Sequence, residues 1–342
     1  INGVTVGGAA YQTAIANEVA AAHQAGMYVI LDLHWSAPGS QLALSQNPFP
    51  DEDHSPAFWS SVASAFKNDL GVIFDLFNEP FDYWGTSSDH WAGWLNGETQ
   101  TQYTTGGSPA NVTANWKTAG MQELINAVRA TGAGQPVLVN GLDWGNDDSG
   151  WLSHAPSDPK KQIIAGAHIY PGQGCSVASC WNGVYPALQA KYPVLIGETG
   201  DNSAAPVSPF LPAFLDYADA NHWSYLAWTW DVWQNSSDVL ISGWDGTPTT
   251  GEGNSLPIEP ALASLTFRGV QSGGFGCASA MAAPSSAAAI VGRLLSWLTT
   301  SARKSAGKAA SSPSLEGSAS RPLPRTPITV PALQATYRTT PA

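Results

Sequence analysis

The chain has 342 residues, enough for one large domain or two ordinary ones, with a formal net charge of −12 and 15 Trp. Charged residues make up 12 %, about half the usual share of a soluble domain, and the acidic balance argues against a nucleic-acid partner, whose phosphates are met by basic patches. No apolar run approaches the roughly 20 residues of a membrane-spanning helix. A surplus of Trp and Tyr with few cations suits a neutral, flat-faced ligand such as a sugar.

In chain order, a helical pattern near 10–25 ends at Gly26, a residue suited to the position just past a helix end, and "MYVILDLHW" follows as a strand. Ser55-Pro56 opens the helix "SPAFWSSVASAFKNDL", with proline at its first position. "GVIFDLF" is the next strand, and a helix is expected near 113–131. "QPVLVNG", "QIIAGAHIY", "YPVLIGETG" and "WSYLAWTWD" are further strands, with helices near 183–191, 208–221 and 257–266. Strands are thus expected at 27–35, 71–77, 137–140, 162–170, 193–198 and 223–231. Near-continuous apolar strands alternating with helices predict an α/β fold with a parallel sheet buried on both faces. A (β/α)8 TIM barrel needs two strands more. A doubly wound sheet competes with it, but no glycine-rich phosphate loop follows any strand.

Composition changes near residue 276. Residues 277–342 hold seven Lys or Arg against Glu316 alone, net +6, whereas the preceding chain carries −18. The expected organisation is therefore a barrel-type domain over 1–275 and an Ala/Ser/Pro-rich basic tail over 276–342, largely disordered because it cannot bury enough apolar surface to offset ordering. "AAAIVGRLLSWL" within the tail has the spacing of a short amphipathic helix. Cys175 and Cys180 lie close enough for a local disulfide in an oxidising compartment, leaving Cys277 over. No second Cys pair or His stands at zinc-ligand spacing. The acidic run "PDEDH" at 50–54 is expected to be a solvated loop, calcium being the alternative.

In parallel α/β folds chemistry sits at the carboxyl ends of the strands. Those ends are His34-Trp35, Asn78-Glu79, Asn140 to Trp144, His168-Ile169-Tyr170, Glu198 and Trp228 to Asp231. Two Glu among His, Tyr and Trp match the needs of glycosidic cleavage. One carboxyl donates a proton to the leaving oxygen, and an ionised one attacks the anomeric carbon or activates water. Alternation places His168 with Tyr170 and Asp32 with His34 on common faces, and Trp228 with Trp230 on another.

The motifs "YVILDLHW", "FDLFNEP", "GAHIY" and "VLIGETG", in that order, resemble strands three, four, six and seven of glycoside hydrolase family 5, the cellulase-type (β/α) barrel enzymes. The resemblance covers about residues 10–270. It implies that Glu79 is the acid/base and Glu198 the nucleophile, that Asn78 bonds the sugar 2-hydroxyl, and that His168 and Tyr170 flank the nucleophile. It further implies that His34 lines the subsite beside the cleavage point and that Trp228 is the stacking platform. Apart from the resemblance, Trp35, Trp84, Trp91, Trp94 and Trp144 are candidates for outer subsites, each alone being more often packing or a loop anchor. The family's first two strands and an Arg that pairs with the nucleophile have no counterpart, so the chain is expected to be amino-terminally truncated, with a raised Glu198 pKa. The expected function is a retaining endo-β-1,4-glycanase, most simply an endoglucanase. The alternatives are the same mechanism on mannan, xyloglucan, β-1,3-glucan or chitosan, or a carbohydrate-binding fragment made inactive by truncation. No cofactor or metal, no nucleic-acid or membrane partner, a monomeric state and a secreted, extracellular location complete the expectations.

Overall fold

The computed structural model describes residues 8–106, 111–201, 209–230 and 240–241. Helix α1 (Gly8–Gln24) is followed by Gly26 at φ +82°, where only glycine is unstrained, and the chain turns into strand β1 (Val29–Asp32). A long loop leads to α2 (Ser55–Phe66), with Pro56 in its first turn, and then to β2 (Val72–Asp75), buried at every position. Next come α3 (His90–Asn96), β3 (Thr99–Thr104), β4 (Asn111–Lys117), α4 (Met121–Ala130) and β5 (Val137–Asn140). The short α5 (Leu142–Gly145), β6 (Ile163–Ile169), α6 (Ala178–Gln189), β7 (Val194–Thr199), α7 (Phe210–Ala220) and β8 (Ser224–Ala227) complete the order.

Six strands form one parallel sheet in the order β1-β2-β5-β6-β7-β8, so each strand lies beside the next one of the sheet in chain order. That is the winding of a (β/α)8 barrel, here a curled partial barrel of six strands with helices outside. Each expected strand has its counterpart, and α1, α2, α6 and α7 lie where helices were expected. The helix expected near 113–131 is corrected: it starts only at Met121, and 111–117 is a strand paired antiparallel with β3. Only Gln100 and Trp116 of this hairpin are buried, so its pairing left no apolar period to read. The expected helix near 257–266, Cys277 and the tail over 276–342 lie outside the described residues.

The core is layered. Ile73, Leu138, Ile164 and Leu195, joined by Ile30 and Leu226, give one inward residue from each of the six strands and form the apolar floor of the barrel. A larger cluster between sheet and helices holds Trp59, Trp94 and Trp151, each fully buried. Their indole N–H groups donate to the carbonyls of Leu76, Asn140 and Val139 at 2.9, 3.0 and 3.0 Å. These Trp tie the outer helices and loops to strand carbonyls, and a Trp buried with its donor paired is structural. Trp94 is therefore packing and not a sugar contact. Among the described residues no helix is long and apolar enough to cross a membrane.

Candidate active site

Two residues up from the apolar floor, the inward positions turn polar. Asp32 of β1 is in register with Asp75 of β2, and Asn140 of β5 with Gly166 of β6. Gly166 leaves the space that the Asn140 side chain fills, since a Cβ there would stand 2.0 Å from Asn140 Oδ1. One further step up are His34, His168 and the two glutamates.

Glu198 reaches this level through an irregularity. Counting alternately from the inward Leu195 gives Gly197 as inward and Glu198 as outward. The β6–β7 register shifts between Ala167 and His168, so that His168 pairs with Glu198, and this bulge turns the carboxylate into the barrel. Gly197 lies at this bulge, and a Cβ on it would crowd the His168 ring, standing 3.0 Å from Nε2.

The acids then converge. His168, 1 % exposed, has Nδ1 at 3.0 Å from Glu79 Oε1 and 3.6 Å from Glu198 Oε2. The Tyr170 hydroxyl donates to Glu198 Oε2 at 2.9 Å. An oxygen of Glu79 and one of Glu198 lie within 4.8 Å of each other and of the His168 ring nitrogen. Burial pushes the Glu198 carboxyl up to about 7, with the Glu79 charge adding to it and His168, His34 and the Tyr170 hydroxyl opposing. Burial works against charge on His168, but Glu198, Glu79 and Asp75 outweigh it and lift the imidazole to about 9. Between those values a buried imidazolium sits against carboxylate, and the cations acting on Glu198 are both imidazoles. Beneath them burial, reinforced by the Asp32 charge, holds the Asp75 carboxyl well above the usual carboxylate range.

Around this pair, His34 Nδ1 lies 2.8 Å from Asp32 Oδ2, and the His34 ring stacks on Trp228 with centroids 5.8 Å apart and planes 8° apart. Since His34 follows β1 and Trp228 follows β8, the contact joins the two ends of the curled sheet. Trp35 tilts against His34 at 5.8 Å. Trp230 packs partly buried against the large core cluster, so of the two Trp only Trp228 belongs to the His34 group. Asn78 is 3 % exposed beside Glu79. Trp144 stacks on Phe81 at 4.9 Å with Tyr83 across its edge, on a loop next to Glu79. Cys175, in the loop before α6, is joined by a disulfide to Cys180 in the first turn of α6, outside the carboxylate cluster. Asp51, Asp53 and His54 are spaced closely enough to share a cation. Asp51 already accepts from the His54 backbone, the His54 ring and the Ser55 hydroxyl, which ties that loop to the start of α2.

Sequence reading missed Gln46 and passed Asn140 only as a strand end. Gln46 Nε2 donates to the Glu79 carbonyl at 2.6 Å, and Asn140 Nδ2 to the Asn78 carbonyl at 2.9 Å. For Asn140 the signal was there: a polar residue ending an otherwise apolar strand. Gln46 sits in a loop that carries no such signal.

Residues 4–235 match the family model described as Cellulase (glycosyl hydrolase family 5). The chain is 24 % identical over 258 residues to an endoglucanase from Paenibacillus polymyxa, covering 65 % of this chain and 58 % of that protein. It is 27 % identical over 185 residues to a mannan endo-1,4-beta-mannosidase from Streptomyces lividans, covering 51 % of this chain and 47 % of that one. The chain thus spans about half the length of these curated relatives. Among solved structures, an endo-beta-1,4-glucanase from Xanthomonas axonopodis pv. citri aligns at TM-score 0.49 and 23 % identity, covering 71 % of this chain and 76 % of that one. Because the family model takes in well over half of its length, the chain belongs to glycosyl hydrolase family 5.

Proposed function

We propose that the protein is a retaining endo-β-1,4-glycanase that cleaves β-glucan by double displacement. The observation that carries this reading is the approach of Glu79 and Glu198 oxygens to within 4.8 Å. Retaining glycosidases hold their carboxyls about 5–5.5 Å apart, whereas inverting enzymes leave roughly 6.5 Å or more to admit a water. Glu79 protonates the leaving oxygen and afterwards activates water. Glu198 attacks the anomeric carbon and forms the glycosyl-enzyme. Tyr170 and His168 hold the Glu198 oxygen and favour its charged form. His34 and the Trp228 face bound the sugar that occupies the cleavage subsite, with Asn78 beside it. Trp35 and Trp144 extend the contact surface outward.

The choice of β-glucan follows the endoglucanase likeness, and a second reading, mannan, is favoured by the slightly higher identity to the Streptomyces lividans mannosidase. The disulfide supports a secreted protein, since such bonds persist in oxidising compartments. The domain plan remains a catalytic unit over 1–275 with a basic tail over 276–342. The test is release of reducing ends from a panel of cellulose, mixed-linkage glucan, mannan, xyloglucan and chitosan. Hydrolysis of one polymer, lost in both Glu79→Gln and Glu198→Gln, is expected. Binding without any reducing ends, or turnover surviving either substitution, overturns the assignment.

A further inference from the structure

Strand β2 ends at Asp75, four residues before Glu79. The ladder alone therefore does not fix the backbone that presents the acid, although Asn78 N still donates to the Leu33 carbonyl at 3.2 Å. The next carbonyls are held by donors from elsewhere. Asn140 Nδ2 donates to Asn78 O at 2.9 Å and Phe77 O at 3.2 Å. Gln46 Nε2 donates to Glu79 O at 2.6 Å. Trp144 N donates to Pro80 O at 3.0 Å. Three consecutive carbonyls, those of Asn78, Glu79 and Pro80, are thus pinned from two separate segments of the chain, the loop at Gln46 and the stretch Asn140 to Trp144.

The pinning groups are themselves constrained. Asn140 is 0 % exposed. Its Nδ2 also faces both Asp75 oxygens, at 3.0 and 3.3 Å, and because the Phe77 and Asn78 carbonyls can only accept, they set the orientation of the amide. Trp144 and its neighbour Asp143 hold φ values of +57° and +53°, a left-handed pair that costs about 1 kcal/mol or more per non-glycine residue. What that turn achieves is visible in the same contacts: it aims Trp144 N at Pro80 O and lays the indole on Phe81. A general acid must meet the leaving oxygen within hydrogen-bond reach, and misplacement by about 1 Å costs on the order of 100-fold.

We infer that Asn140, Gln46 and the Trp144 backbone form a clamp on residues 78–80, and that Asn140 and Gln46 are positioning residues for proton delivery by Glu79. The inference rests on the reading of Glu79 as proton donor. Neither amide touches the sugar; both act through the main chain that carries the acid.

The test compares kcat/KM on two substrates for each preparation of the full chain. One is a cellooligosaccharide, whose sugar leaving group needs a proton; the other is an aryl β-cellobioside with a strongly acidic phenol, which leaves without one. The ratio of the two cancels any difference in folded fraction. Glu79→Ala sets the reference, a selective loss on the oligosaccharide. Asn140→Ala and Gln46→Ala are expected to share that selectivity, losing about 10- to 100-fold more on the oligosaccharide than on the aryl substrate. Gln46 is only half-buried, so its variant does not depend on a core substitution being tolerated. If Glu79→Ala is selective and both amide variants lose equally on the two substrates, the clamp is structural only and the inference fails. If Glu79→Ala itself is unselective, the proton-donor reading falls first and the inference with it.

Discussion

Tyr170→Phe removes one hydroxyl and leaves the ring. That hydroxyl donates to Glu198 Oε2 at 2.9 Å. Glu198 is 12 % exposed at the side chain, so water cannot readily replace the lost donor. A hydrogen bond to a charged group contributes about 1.5–3 kcal/mol, and one pKa unit corresponds to about 1.4 kcal/mol. Removing it should therefore move the Glu198 carboxyl from about 7 upward by one to two units. Glu198 attacks only when ionised, so the acid limb of the kcat/KM profile should shift toward higher pH by the same amount. The assay is the pH dependence of kcat/KM on an activated aryl β-cellobioside, where attack by Glu198 limits the rate. At about pH 6, below both values, the variant should be slower by roughly 10- to 100-fold, and the difference should shrink as pH rises. An unmoved acid limb, or a loss of equal size at every pH, would refute the argument that Tyr170 acts by favouring the carboxylate.

Glu98 offers a pH effect on stability away from the chemistry. Burial, with the Asp82 carboxylate adding, pushes it up to about 7, and both acids accept from the Gln100 amide. Because its folded value lies above the ordinary one, its stabilising contribution is complete at acidic pH and is lost as pH rises through about 7. Melting temperature should fall between about pH 5 and pH 8, and Glu98→Gln should flatten that fall; an unchanged slope contradicts the assignment. Arg129 and Asp158 form a two-point ion pair at 2.7 and 3.0 Å with side chains 6 % and 0 % exposed. Asp158→Ala should cost about 3–5 kcal/mol in a urea melt by stranding the guanidinium. A cost under about 1 kcal/mol would mean that the pair is wet in solution.

The strand-to-helix alternation was legible because a sheet buried on both faces writes itself as apolar runs. "GVIFDLF" and "QIIAGAHIY" are bounded by turn residues and appear as β2 and β6. The hairpin of β3 and β4 was not legible. Thr113, Ala114 and Asn115 are all exposed, so no face reads as apolar, and what makes them a strand is pairing with Thr99–Thr104, which no local pattern encodes. For the site, the motifs led to Glu79 and Glu198, but strict alternation along β7 points Glu198 the wrong way. Only the register shift against β6 turns it inward, and a shift belongs to two strands together. The clamp was invisible for a related reason. Gln46 and Asn140 meet the Asn78–Glu79 backbone from residues 33 and 62 positions away. Their partners are carbonyls, which leave no mark on the sequence.

The central claim is that Glu198 bonds covalently to the sugar while Glu79 handles the proton. Incubation of the protein with an activated 2-deoxy-2-fluoro cellobioside, followed by peptide mass spectrometry, tests it most directly, because the fluorine slows release of the intermediate. The account predicts one glycosyl adduct, carried by the peptide containing Glu198 and absent from Glu198→Gln. Turnover of natural substrate with no adduct, or an adduct on any other carboxylate, would contradict it.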